Sequence, residues 1–129
     1  MSHLFKTTTS YPNALMLLIT EDDPSVPDID GIANIWQSES MLALAVQHDA
    51  EGDVELQITN EAPSASNMTL LFEGVLATSR RLVEIQTAYL DRIAGIRTLT
   101  EELPLRIWGD DPRQPEHVVI ECRGLVELS

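Results

Sequence analysis

Glu21, Asp22, Asp23, Asp28 and Asp30 place five carboxylates within ten residues of the stretch LITEDDPSVPDIDG. Carboxylates at that density can hold a hard cation, present negative charge to a basic partner, or simply keep a loop in water. Calcium loops of the helix–loop–helix kind need D-x-[DN]-x-[DN]-G. Here Asp28-Ile29-Asp30-Gly31 supplies only the tail of that pattern, and Pro24 and Pro27 stiffen the chain against the usual loop. No metal ligand set and no cofactor is therefore assigned. A partner-facing surface is the leading functional reading of the stretch, with Trp36 just beyond it as a candidate apolar anchor, and plain solvation is the alternative.

Other chemistries find less support. His3, His48 and His117 show no paired metal-ligand spacing, and the single cysteine, Cys122, excludes an internal disulfide and Cys-rich zinc sites. His48-Asp49 is the one adjacent pair that looks catalytic, although such a pair commonly caps a turn. No G-x-S-x-G elbow occurs, the glycines are isolated, and Cys122 sits in an apolar segment where a thiol is inert. No catalytic residue is assigned, and the chain is read as a non-enzyme. Trp108, before Gly109-Asp110-Asp111, is expected to pack at the rim, and Arg80-Arg81 is expected to be a solvated pair.

The net charge is −13 over 129 residues, and it is uneven. Residues 1–77 carry twelve acids and one base, Lys6, whereas residues 78–129 carry nine acids and seven arginines. Such a field repels a phosphate backbone, so nucleic acid is excluded as a partner, and it speeds encounter with a basic protein. The apolar runs Ala14 to Ile19 and Met41 to Val46 fall far short of the roughly 18 residues of a membrane span. Without a visible secretory leader, and with one cysteine, the expectation is a cytoplasmic protein.

These residues must be positioned by short elements within one β-rich domain, 1–129. Ala14 to Ile19 and Met41 to Val46 read as buried strands, and Val54, Leu56 and Ile58 alternate after His48–Asp53, which together predict a hairpin. Met68 to Leu76, Leu103 to Ile107 and Val118 to Cys122 are β-like, and Pro104 favours a strand start or an edge. The segment 79–94 is a fork. Leu82, Ile85, Tyr89, Ile93 and Ile96 fall at helical spacing, while Leu82 to Thr87 also reads as a strand among closely spaced turns. The expected fold is an all-β antiparallel sandwich, with an α+β fold carrying one helix at 79–94 as the alternative.

Ser10-Tyr11, an apolar strand, an acidic proline-containing loop and Trp36 precede ESMLALAVQHDAEGDVELQI, Glu39 to Ile58. MTLLFEGVLATSRRLVEIQT and ELPLRIWGDD follow, from Met68 to Thr87 and Glu102 to Asp111. This order of apolar positions resembles the competence protein J family, small acidic β-rich proteins that inhibit a DNA-entry nuclease. The resemblance implies a strand at Leu82 to Thr87 and an inhibitor or immunity-like role. Asp49 to Asp53 and the tail after Trp108 depart from the pattern, and no inhibitory motif carries over residue by residue. The expected function is thus neutralisation of a basic protein, such as a nuclease or toxin, by Glu21, Asp22, Asp23, Asp28, Asp30 and Trp36. Two alternatives stand beside it: a self-assembling sandwich that forms a homo-oligomer, and a calcium- or ligand-binding sandwich.

Overall fold

The computed structural model describes residues 3–31, 33–64, 67–123 and 126–128. Two sheets enclose the core. One has five strands in the order β1 (His3–Thr9), β5 (Val54–Thr59), β10 (His117–Cys122), β9 (Glu102–Gly109) and β6 (Thr69–Ala77). The other has six, in the order β11 (Val126–Leu128), β8 (Arg92–Thr98), β7 (Leu82–Thr87), β2 (Leu15–Ile19), β4 (Met41–Ala45) and β3 (Ile35–Gln37). All neighbours are antiparallel except β5 and β10, which run parallel at the centre of the five-stranded sheet. The chain is an all-β sandwich.

Period-two burial explains most strands. Val54, Leu56 and Ile58 of β5 and Leu103, Leu105 and Ile107 of β9 point inward to meet Met16, Leu18, Leu42, Leu44, Val83 and Ile85 from the other sheet. Burying each such side chain contributes roughly 1.5–3 kcal/mol, so this cluster is the main stabilising feature. The same period decides the fork at 79–94 for strand. Val83, Ile85 and Thr87 are buried, Leu82, Glu84 and Gln86 are half-buried, and Tyr89, placed by helical spacing on the buried stripe, is 68% exposed. Positive φ at Arg81 (57°) and Leu90 (66°) makes the turns at either end of β7, which a helix through the segment would forbid.

The expected hairpin between Met41–Val46 and Val54–Ile58 does not form, because β4 and β5 lie in different sheets. The connection is a 3-10 turn, Asp49–Glu51, where His48 Nδ1 accepts from Ala50 N–H at 3.0 Å, and it ends at Gly52 with φ 141°. Val46 N–H donates to the Ala14 carbonyl and Gln47 N–H to the Pro115 carbonyl, which steers the chain from one layer to the other. Turn composition marks where a strand ends, and these two bonds decide where it goes next. Pro104 occupies an interior strand, β9, near its start. Its carbonyl accepts from Arg123 N–H, one residue beyond the end of β10, so its missing N–H falls where that ladder has run out.

β2 and β4 are buried along nearly their whole length, because apolar cover lies on both faces. Inward residues enter the core. Leu17, Ile19, Met41 and Ala43 form a second apolar cluster on the outer face of the six-stranded sheet, with Leu15 and Trp36 packed against it. That cluster is what the acidic segment is built on.

Candidate functional site

Residues 20–31 leave β2, and 33–34 lead into β3, along the outer side of the six-stranded sheet, held at three places. The first is the turn between β6 and β7. Thr78 Oγ1 donates to the Thr20 carbonyl at 2.9 Å, and Glu21 accepts from Ser79 N–H at 2.9 Å and from Ser79 Oγ at 2.8 Å. Arg80 reaches across to the carbonyls of Ile19, Thr20 and Leu82, each at 3.2 Å, and to Asp22 at 2.5 Å and Glu84 at 3.3 Å. Bonds from the Ser79 backbone, then its hydroxyl, hold the Glu21 carboxyl below its usual range, with Arg80 adding to the effect. Arg80 is therefore not a solvated cation: it staples the start of the acidic loop. Arg81, its neighbour, is exposed.

The second tie joins Ser25 to the β3–β4 connection. Ser25 N–H donates to Ser40 Oγ at 2.7 Å and the Ser25 carbonyl accepts from Ser38 Oγ at 2.5 Å, while Pro27 is buried. The third is Asp30, whose Oδ1 accepts from Ala33 N–H and from Trp36 Nε1, both at 3.1 Å. Two prolines and three anchor points make this a pre-shaped segment. A surface already held in its bound form loses less conformational freedom on association.

The six residues singled out by sequence fall into separate groups. Glu21 and Asp22 converge on Ser79 and Arg80, beside a small cavity of about 230 Å³ lined by Ile19, Pro24, Glu84 and Leu90. Asp30 is joined to Trp36, whose indole is half-buried on the Leu17–Ile19–Met41–Ala43 cluster and ties the loop down. Asp23 and Asp28 are exposed, and among the described residues neither makes a salt bridge. Val26, 71% exposed, stands between them in sequence, and Ile29, 38% exposed, follows Asp28 directly. The segment thus presents acids and apolar side chains together.

Sequence inspection picked His48-Asp49 and missed Asp110 and His117. His48 Nδ1 is occupied by the Ala50 N–H, so that pair caps a turn. Asp110 Oδ2 lies 2.8 Å from His117 Nδ1, and Asp110 Oδ1 accepts from the N–H groups of Glu116 and His117. Burial pushes the Asp110 carboxyl up, but the bonds from His117 and Glu116 outweigh it and the net shift is downward. The same side-chain bond raises His117 above 6.5. His117, but not Asp110, lines a cavity of about 410 Å³ on the outer face of the five-stranded sheet, together with Glu55, Gln57, Glu61, Met68 and Val119 among others. The two partners are seven positions apart in the chain, and the turn after β9 brings them together. Cys122 lies in the core, and its burial pushes the thiol up to about 12, so it supplies no thiolate at neutral pH.

No protein-family model matches the chain, and no curated protein matches it in sequence. A solved structure does. It is titled as the crystal structure of ComJ, inhibitor of the DNA degrading activity of NucA, from Bacillus subtilis. The two superpose with a TM-score of 0.73 over 97% of this chain and 99% of that one, at 11% sequence identity. The chain has the ComJ fold. The likeness bears out the expected sandwich and the resemblance to competence protein J. At 11% identity the ComJ likeness fixes the path of the backbone, and the chemistry of the loop must be argued from this chain's own side chains.

Proposed function

We propose that this chain is a non-enzymatic binding protein that neutralises a basic protein, a nuclease or toxin, through the acidic segment 20–34. The observation that carries the reading is a pinned loop whose Asp23 and Asp28 remain unpaired among the described residues beside exposed Val26 and Ile29. A phosphate-binding groove is built to meet regularly spaced negative charge. Carboxylates on a rigid edge would take the place of those phosphates, and the apolar side chains would supply the contact area that charge alone lacks. Glu21, Asp22 and Asp30 shape the loop and add to its field, and the free edge of Trp36 is the apolar anchor of the surface. The ComJ fold supports the reading because the protein solved in that fold is an inhibitor of a nuclease. The proposal includes a cytoplasmic setting.

The test is titration of the chain into DNA-cleavage reactions of basic nucleases purified from the cell that makes it. At least one should be inhibited, and inhibition should weaken as salt rises. Asp23→Lys combined with Asp28→Lys should slow association by about tenfold or more at low salt, because these exposed charges act on encounter. Full inhibition by the charge-reversed chain would remove the loop from the binding surface.

A further inference from the structure

A sheet edge exposes unpaired N–H and C=O groups, and proteins blunt such edges by keeping them short or charged. Three of the four edges here are treated in that way. β3 and β11 have three residues each, and the exposed side chains of β1 among the described ones are the polar Lys6 and Thr8. β6 is the exception. It runs for nine residues, TLLFEGVLA, with no proline and one charge, Glu73, whose carboxylate is already held 2.7 Å from Arg106 Nε. Among the described residues nothing pairs with its far side.

The direction of the free groups follows from Pro104. In a strand, the N–H and C=O of one residue leave the same side, and Pro104 directs its carbonyl to Arg123, away from β6. Val75 lies opposite Pro104, so this is a non-hydrogen-bonded pair and Val75 turns its own N–H and C=O to the open edge. Glu73 and Ala77, two residues to either side, do the same. On the outer face Val75 is 51% exposed and Leu70 is 41% exposed, so an apolar side chain flanks the open ladder on each side of Glu73.

We propose that β6 is the interface of a homodimer, in which two copies pair β6 to β6 in antiparallel fashion and join their five-stranded sheets into one of ten strands. Two arguments select a second copy. An antiparallel strand about a two-fold axis is self-complementary, since every free donor on one copy meets the matching acceptor on the other. Moreover, each chain carries a charge of −13, and a strand whose one acid is already paired lets two such molecules touch without bringing bare carboxylates together. This inference does not rest on the proposed inhibitor role, and the two respond oppositely to salt. Screening removes the repulsion between like-charged copies and so favours the dimer, whereas it weakens capture of a basic partner.

The experiment is mass measurement by light scattering and sedimentation on the full chain at low and high salt. The mass should double from 14.3 kDa as salt rises, with the dimer dissociation constant falling about tenfold or more between roughly 50 and 500 mM salt. Val75→Glu places an extra charge on each side of the seam, and Val75→Pro deletes an outward N–H without touching the β6–β9 ladder. Both variants should stay at 14.3 kDa in high salt while retaining the strand signature of the parent in circular dichroism. A chain that stays monomeric at every salt concentration overturns the proposal. So does a dimer that survives both substitutions, or variants that remain dimeric yet lose nuclease inhibition, which would give the edge to another partner.

Discussion

Each outer face of the sandwich carries a tryptophan whose indole N–H donates to a carboxylate at 3.1 Å, Trp36 to Asp30 and Trp108 to Glu121. The bond is the same and the surroundings are opposite. Glu121 is buried and lies between Arg106 and Arg123, at 4.0 and 3.4 Å, and Arg106 continues the row to Glu73. That row spans β10, β9 and β6, with its charges balanced inside the sheet. On the Trp36 side, Arg80 pairs with Asp22 and Glu84, and Arg92 with Glu84, while Asp23 and Asp28 are left to the solvent. A tryptophan–acid pair is therefore neutral about function. What separates a tie from a binding surface is whether the neighbouring charge is matched by the chain itself.

The sharpest way to break the comparison is to unbalance the matched side. Glu121→Ala should cost about 3 kcal/mol, because it removes a buried carboxylate from a half-buried indole N–H and two arginines, and urea unfolding would read it directly. Nuclease inhibition per folded molecule should be unchanged. On the unmatched side, Arg80→Met removes donors from three carbonyls and two acids, and its expected cost is about 2 kcal/mol. Here hydrogen exchange should rise across residues 20–25, and inhibition should fall with it. A variant that loosens the loop and inhibits as well as the parent would show that pre-shaping is irrelevant.

Trp36→Phe keeps an aromatic ring on the Leu17–Ile19–Met41–Ala43 cluster and deletes only the bond to Asp30. The loss should be about 1 kcal/mol, seen as faster amide exchange at Ala33, whose N–H shares the same acceptor oxygen. The smallest effect is in pH. Glu21 has a lowered pKa, so its stabilisation is present above the usual 4.5 and is lost as pH falls through the lowered value. His117 has a raised pKa, so its contribution is full below 6.5 and fades as pH rises through the raised value. His117→Asn should flatten the alkaline side of a melting-temperature profile and, because the imidazole also holds Asp110 down, shrink the Asp110 part of the acid side while leaving that of Glu21. A profile unchanged by that substitution would detach His117 from stability.

Much of the sandwich was legible because inward and outward residues alternate in β5 and β9, and because β2 and β4 are continuous apolar runs; at β7 a helical spacing competed with the period of two, and β8 was left open by the same fork. β1, β3 and β11 escaped notice. β1 is threonine-rich with little apolar contrast, and the other two are three residues long, too short to show a period. The false hairpin between β4 and β5 has the same root, since a local pattern names strands but not the layer each joins. At the candidate surface the sequence disclosed the density of acids. It did not disclose that Arg80, 58 residues beyond Asp22, would staple them, or that Trp36 would tie the loop down through Asp30. Those contacts depend on a turn with positive φ at Arg81 and on a loop folding back over its own sheet, and both are tertiary facts.

The parallel pair at the centre of the five-stranded sheet also sets a schedule for the protein's synthesis. β5 is made early, yet the strand beside it, β10, begins at His117 and follows more than fifty residues later. Neighbours in the six-stranded sheet, such as β7 and β8, can pair soon after translation. β5 must wait, with β1 its one earlier partner, and a central pairing of such long sequence separation makes closure the slow event in folding. On the ribosome, the sandwich cannot close until residues 117–122 have emerged.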